Sequence, residues 1–139
     1  MNKGLRVNVL KEREHKKARC ANVLVVEDDP VVSRVLKTIL ERQGYAVHLV
    51  SDCLSAKNVL NATWSIVVLD LNLPDCSGLE VLRYLRAELG RETPVLILSG
   101  LKQEKTVLEA LRLGAQDYLT KPFSPRELLL RLERYVAQG

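Results

Sequence analysis

Ser65-Ile66-Val67-Val68-Leu69-Asp70, continued by Leu71-Asn72-Leu73-Pro74-Asp75, is the stretch on which the fold turns. An apolar run rich in β-branched residues ends abruptly in an aspartate and a Pro-containing loop. A short apolar run bounded by turn signals is the pattern of a strand buried on both faces. Asp70 then stands at the carboxyl end of that strand, the edge at which open α/β sheets gather their ligands.

Outward from this strand the same pattern recurs. Asn22 to Val26 is a first apolar strand, followed by Glu27-Asp28-Asp29-Pro30. Asp29 is suited to cap the next helix, with Pro30 in its first turn, where a missing N–H costs nothing. That helix is expected to turn Val31, Val35, Leu36 and Ile39 to one apolar face and to stop at Gly44, a natural left-handed cap. Tyr45 to Val50 forms a second strand, and Ser51 or Asp52 caps a helix running through Leu60. After the strand ending at Asp70, Ser77-Gly78-Leu79-Glu80 has the form of a capping box for a helix closing near Gly90. Pro94 to Leu98 is a fourth strand that runs into Ser99-Gly100. A fourth helix around Val107, Leu108 and Leu111 ends at Gly114. Gln116 to Thr120 is a fifth strand, followed by Lys121-Pro122. Ser124-Pro125-Arg126-Glu127 opens a fifth helix that keeps Leu128, Leu132 and Val136 in register.

Strands alternating with helices through short loops imply an α/β fold with a parallel sheet and right-handed crossovers. Of the two common wound orders, 2-1-3-4-5 suits a five-stranded chain of this length, giving a doubly wound (βα)5 sheet of flavodoxin-like winding. In that order the first and third strands are neighbours. Their carboxyl ends bring Glu27, Asp28 and Asp70 together, and the fourth and fifth strands add Ser99 and Lys121 to the same rim. Apolar periodicity requires none of these polar residues.

Composition sets the outer limits. A chain of 139 residues, 47% hydrophobic and 27% charged, is expected to be a single globular domain. No apolar run reaches the roughly 18 residues that a membrane span needs. The charged N-terminus lacks the apolar core of a secretory signal, so a cytoplasmic protein is expected. Cys20, Cys53 and Cys76 are odd in number and far apart, and are read as free thiols in a reducing compartment. The net charge of +4 is unevenly divided. Residues 1–20 form a basic arm carrying +5, and residues 21–139 carry −1. Such an arm attracts phosphates at long range, or is simply a solvated tail. Within it, the alternation of Leu5, Val7 and Val9 also suits a short strand or a contact with a partner chain.

Taken together, Val-Val-Glu27-Asp28-Asp29, Val-Leu-Asp70-Leu-Asn72-Leu-Pro74-Asp, Leu-Ser99-Gly100 and Asp117-Tyr118-Leu-Thr-Lys121-Pro122-Phe123 resemble the receiver domain of two-component response regulators. The resemblance covers nearly all of residues 21–139, and its specificity lies in the order and placement of the motifs. It implies that Asp70 accepts a phosphoryl group from a histidine kinase, a phosphotransfer protein or a small phosphodonor, as 4-aspartylphosphate. Such a domain catalyses only its own phosphorylation and dephosphorylation and is not otherwise an enzyme.

Residue chemistry and resemblance agree on the roles. Three clustered carboxylates need a cation, and an oxygen-only set suits Mg²⁺ or Mn²⁺. Asp28 and Asp70 are expected to bind it directly and Glu27 through water, and the resemblance adds the backbone carbonyl of Asn72. Lys121 and the Ser99 hydroxyl are expected to meet phosphoryl oxygens. Ser99 stands where threonine is commoner in the family, and Gly100 leaves the acceptor accessible. The family's Lys-Pro bond, here Lys121-Pro122, is cis and aims the lysine inward. Ser99 and Tyr118 match the family's switch pair, which reshapes the fourth helix, fifth strand and fifth helix for target binding or homodimerisation. Asp75 and Asp117 read as loop and solvent residues, and His15 and His48 as unsuited to carrying phosphate.

Three other readings compete. A cofactor carrier of the same fold needs a Gly/Ser/Thr phosphate loop, and Glu27-Asp28-Asp29 would repel the phosphate. A haloacid-dehalogenase-type phosphatase expects Asp-x-Asp, but Asp70 is followed by Leu71-Asn72. A degenerate receiver, acting as a phosphorylation-independent binding module, would lack an essential residue. The output stays open between a stand-alone receiver and the receiver part of a longer regulator. Nucleic-acid binding would require the basic arm or a further output domain.

Overall fold

In a computed structural model of the chain, which describes residues 21–136, five strands alternate with five helices. In order these are β1 (Asn22–Val26), α1 (Pro30–Arg42), β2 (Ala46–Val50), α2 (Cys53–Val59), β3 (Ile66–Asp70), α3 (Gly78–Arg83), β4 (Val95–Ser99), α4 (Glu104–Arg112), β5 (Asp117–Thr120) and α5 (Pro125–Val136). The expectations for the basic arm, Cys20 and His15 fall outside the described residues. No helix among the described residues is long and apolar enough to cross a membrane.

The sheet is wholly parallel, in the order β2-β1-β3-β4-β5. Burial tracks position in the sheet. Every residue of the inner strands β3 and β4 is buried, whereas the edge strands β2 and β5 remain partly exposed. Because side chains alternate along a strand, the sheet feeds two apolar layers. Leu36 and Leu40 of α1 and Leu128 and Leu132 of α5 pack on Val23, Val25, Ile66, Val68, Leu96 and Leu98. On the other face α2, α3 and α4 cover Leu24, Val26, Val67, Leu69, Val95 and Ile97.

Helix ends obey local chemistry. Asp29 Oδ1 accepts from the Val31 amide at 2.9 Å, and Asp52 Oδ1 accepts from the Ser55 amide at 2.7 Å. Ser77 and Ser124 cap α3 and α5 through their hydroxyl oxygens. Gly44, Gly90 and Gly114 all adopt positive φ at the helix exits. The third helix departs from expectation: after Arg83 its hydrogen bonding widens into a π-helical segment, Tyr84–Glu88.

The apolar face expected on α1 is rotated. Val31 is 70% exposed and Val35 47%, while the buried stripe is Ser33, Leu36 and Leu40. Val31 and Val35 lie on an adjoining stripe, one turn apart, so apolar spacing alone did not reveal which arc faced the sheet.

Candidate functional site

The crevice of a doubly wound sheet opens where the strand order reverses, here between β1 and β3. Val26 pairs with Leu69, so Glu27 and Asp70 leave the sheet side by side. Both are buried, Asp70 to within 3% of its surface, while the neighbouring Asp28 is exposed. One carboxylate oxygen from each of the three lies within 4.8 Å of the others. A shallow cleft lined by Glu27, Asp28, Ser33 and Ser51 opens beside them.

Lys121 reaches this cluster from the end of β5. Its Nζ donates to Glu27 Oε1 at 2.5 Å and to Asp70 Oδ2 at 3.2 Å. The Lys121-Pro122 peptide is cis, as expected. The Lys121 amide donates to the Ser99 carbonyl at 2.7 Å, which ties the β5 exit to the β4 exit. Ser99 is buried at the end of β4, and Gly100 comes next at the mouth.

Charge crowding shows in the ionisation of two members. Burial, followed by the adjoining Asp70, pushes Glu27 up to about 7, and Lys121 offsets only part of this. Burial opposes the Lys121 charge, but the Glu27 and Asp70 carboxylates outweigh it and hold the ammonium above its ordinary value. A pair of buried carboxylates with one lysine is short of positive charge, the condition that a bound cation relieves. The donors are all carboxylate oxygens, with no imidazole or thiol among them, which fits Mg²⁺ or Mn²⁺ and disfavours soft metals.

The β3–α3 loop frames the other side. The Asn72 amide donates to Asp70 Oδ1 at 3.1 Å, and Asn72 bridges Ser77 across the loop. Two residues that the sequence left unmarked hold this loop in place. Gly78 presses against the end of β3: a Cβ there would collide with the Asp70 carbonyl oxygen and lie 2.9 Å from Leu71 Cα. Gln103 links two loops, its Nε2 donating to Asn72 Oδ1 at 2.8 Å and its Oε1 accepting from the Gly100 amide at 2.6 Å. Gly78 comes after Ser77 in what reads simply as a helix cap, and no pattern marks Gln103.

Three further expectations are corrected. Asp75 is no mere loop residue: its carboxylate accepts from the Cys53 amide at 2.8 Å and the Leu54 amide at 3.1 Å, capping α2 from a distance. Led by the Cys53 amide, these bonds hold its pKa below the usual carboxylate range. Asp117 pairs with Arg131 at 3.0 Å and accepts from the Tyr135 hydroxyl at 3.2 Å. Cys53 and Cys76, expected as free thiols far apart, are brought sulfur against sulfur at a 6.1 Å Cα separation. Their 23-residue spacing carried no sign of this; only the fold of the loop onto α2 brings them together. Tyr118 stands 41% exposed on β5, its ring centroid 6.0 Å from the Arg131 guanidinium. His48 lies on edge strand β2 against Trp64, away from the rim.

Residues 23–133 match the family model described as the response regulator receiver domain. The chain belongs to this family. Receivers are the phosphoacceptor modules of two-component signalling, which pair with histidine kinases. The receiver is 37% identical over 113 residues to the phosphate regulon transcriptional regulatory protein PhoB of Escherichia coli, covering 80% of this chain and 49% of PhoB. The chain thus spans about half the length of the curated relatives it matches. Its fold is shared with the receiver domain of the sensor histidine kinase PA1611 of Pseudomonas aeruginosa (TM-score 0.76, 33% identity, 84% of this chain and 98% of that one). That receiver carries a magnesium ion coordinated in its active site cleft. The receiver of the Francisella response regulator 1452 is similar too, with a TM-score of 0.79 and 33% identity over 86% of this chain and 98% of that one.

Proposed function

We propose that this receiver, residues 21–139, takes a phosphoryl group onto the carboxylate of Asp70 from the phosphohistidine of a sensor kinase or phosphotransfer protein. The observation that carries this is the convergence of Glu27, Asp28, Asp70 and Lys121 at the β1/β3 crevice. Asp28, Asp70 and the Asn72 carbonyl would hold Mg²⁺ directly, with Glu27 acting through water. Bound there, the ion would screen the carboxylate charge and orient the phosphoryl oxygens. The chain's own residues supply the rest by positioning. A bond forms between an Asp70 oxygen and phosphorus while the phosphorus–imidazole bond breaks, and the nitrogen leaves with its electron pair and takes up a proton. Lys121, already 3.2 Å from Asp70, meets the new negative charge. The Ser99 hydroxyl donates to a second phosphoryl oxygen, and Gly100 keeps the approach open.

Hydrolysis of the acyl phosphate at the same site returns Asp70 to its starting form, so catalysis is confined to the domain's own modification. Movement of Ser99 toward the phosphoryl group would draw in Tyr118 and reshape α4, β5 and α5, the face for a second copy or a target. The domain works in the cytoplasm, and residues 1–20, with a net charge of +5, are assigned separately from it. PhoB is a transcriptional regulator of which the matched segment makes up 49%, so nucleic acid would be reached by the arm or by a further domain.

Labelling with radioactive acetyl phosphate tests the assignment. Asp70→Asn is expected to abolish Mg²⁺-dependent incorporation, and labelling equal to the parent would refute it. Beryllofluoride with Mg²⁺ is expected to shift amide resonances across α4, β5 and α5. Shifts confined to the rim would refute the switch.

A further inference from the structure

We propose that Cys53 and Cys76 are a reversible thiol–disulfide site, through which a low-molecular-weight disulfide staples the β3–α3 loop to the start of α2. Their Cα separation of 6.1 Å falls within the range that a disulfide spans without backbone movement. The approach does not depend on the sulfurs alone. Asp75, the residue before Cys76, binds the Cys53 and Leu54 amides through its two carboxylate oxygens. The loop is therefore docked on α2 by hydrogen bonds, with the two sulfurs facing each other. The same bonds argue against a metal at this spot. Asp75, the third ligating side chain within reach, has both oxygens engaged by amides, which leaves only two thiolates.

Unequal exposure sets the order of events. Cys76 is half-buried and Cys53 nearly wholly buried. The Cys76 thiolate attacks one sulfur of a small disulfide such as glutathione disulfide, forming a mixed disulfide and expelling one small thiolate. The Cys53 thiolate then attacks the Cys76 sulfur, closing the Cys53–Cys76 bond and expelling the second. Two electrons pass from the cysteines to the small disulfide, and the two cysteine protons end on the two released thiols. In a reducing compartment such a bond is transient and reports oxidant, rather than acting as a permanent cross-link.

The staple bears on the acidic site through a short path. Cys76 adjoins Ser77, which bridges Asn72, and the Asn72 amide donates to Asp70 Oδ1. Fixing Cys76 fixes the loop that carries the Asn72 carbonyl. This coupling rests on the proposed metal site, but the thiol chemistry does not.

The full chain, free of metal and phosphodonor, would be equilibrated with glutathione and glutathione disulfide at several ratios, then acid-quenched, alkylated and digested for mass spectrometry. A Cys20→Ser variant would run in parallel. The expected result is a linked Cys53–Cys76 peptide pair that grows with the disulfide fraction and reverts on adding glutathione. Both cysteines fully alkylated at every ratio, or Cys20 linked to either as often as they link to each other, overturns the proposal. Calorimetric Mg²⁺ titration would come second, in both redox states. Binding is expected to be about tenfold tighter with the staple closed, the lower end of the loss on removing a ligand-orienting contact. Cys76→Ser should show no redox dependence. Equal affinity in both states overturns the coupling while leaving the thiol site standing. Absence of Mg²⁺ binding and acetyl phosphate labelling in both states would instead refute the phosphoacceptor assignment, with the thiol result still decided by the first arm.

Discussion

Two loops leave neighbouring inner strands at the same rim and are built in opposite ways. The β3–α3 loop is held at almost every residue: Asn72 to Asp70, Asn72 to Ser77, the Gly78 amide to the Leu71 carbonyl at 2.8 Å, and Asp75 and Cys76 to α2. The β4–α4 loop has one internal hydrogen bond, from the Gly100 amide to Gln103, and its Leu101 is 81% exposed. The Asp70 carboxylate thus emerges from a fixed frame, and Ser99 opens onto a segment with little to hold it. On the proposed assignment the nucleophile would stay in place while another part of the rim rearranges, which needs both kinds of loop.

Paired glycine substitutions test this contrast most strongly. Gly78→Ala forces a methyl into the Asp70 carbonyl and should cost about 2 kcal/mol of stability by urea unfolding, within the range for overpacking. At Gly100 the nearest atom to an added Cβ is Gln103 Oε1 at an ordinary 3.5 Å, so Gly100→Ala should stay within about 0.5 kcal/mol. Equal costs would break the comparison.

The next effect is a pH dependence at Glu27, which lies beside the fixed loop at the end of β1. Metal-free Glu27 titrates at about 7 rather than its ordinary 4.5, chiefly through burial and then the neighbouring Asp70. The folded chain therefore binds this proton more tightly than the unfolded chain. Its contribution to stability is complete below pH 4.5 and is lost as the pH rises through about 7. Mg²⁺ competes with that proton, so its affinity should rise about tenfold between pH 6 and 8, as expected for release of one proton. Calorimetry with Glu27→Gln as control should show the slope flattened; an unchanged slope would assign it to another group.

The smallest effect concerns the link between the loops. Gln103→Ala removes the Asn72 and Gly100 bonds together and should cost about 1 kcal/mol or less. Amide exchange should quicken at Gly100 more than at Gly78, because the β3–α3 loop keeps its other ties.

Most of the rim was legible in the sequence because strand ends are legible. Apolar runs stop at Val26, Leu69 and Leu98, and in a parallel sheet the residues just beyond such stops share one edge. Glu27, Asp28, Asp70 and Ser99 were found in this way. The features that escaped depend on contacts between distant segments. Asp75 capping α2, Gln103 joining two loops and Cys53 meeting Cys76 leave no periodic trace, since each needs two segments already folded. The face of α1 was misjudged for a different reason: Val31 and Val35 are as apolar as the residues that pack, and hydrophobicity alone does not say which stripe meets the sheet. The π-helical turn after Arg83 likewise answers to no composition cue.

The complete burial of β3 has one more consequence. Its amides lie in the middle of the sheet between two apolar layers, so they should exchange with solvent only when the whole domain opens. Helix ends, the Leu101 segment and the edge strands can breathe many times in that interval. On the proposed assignment, a phosphoryl group on Asp70 would sit on the part of the chain that opens most rarely, and its lifetime would be set by chemistry at the rim rather than by fluctuations of the fold beneath it.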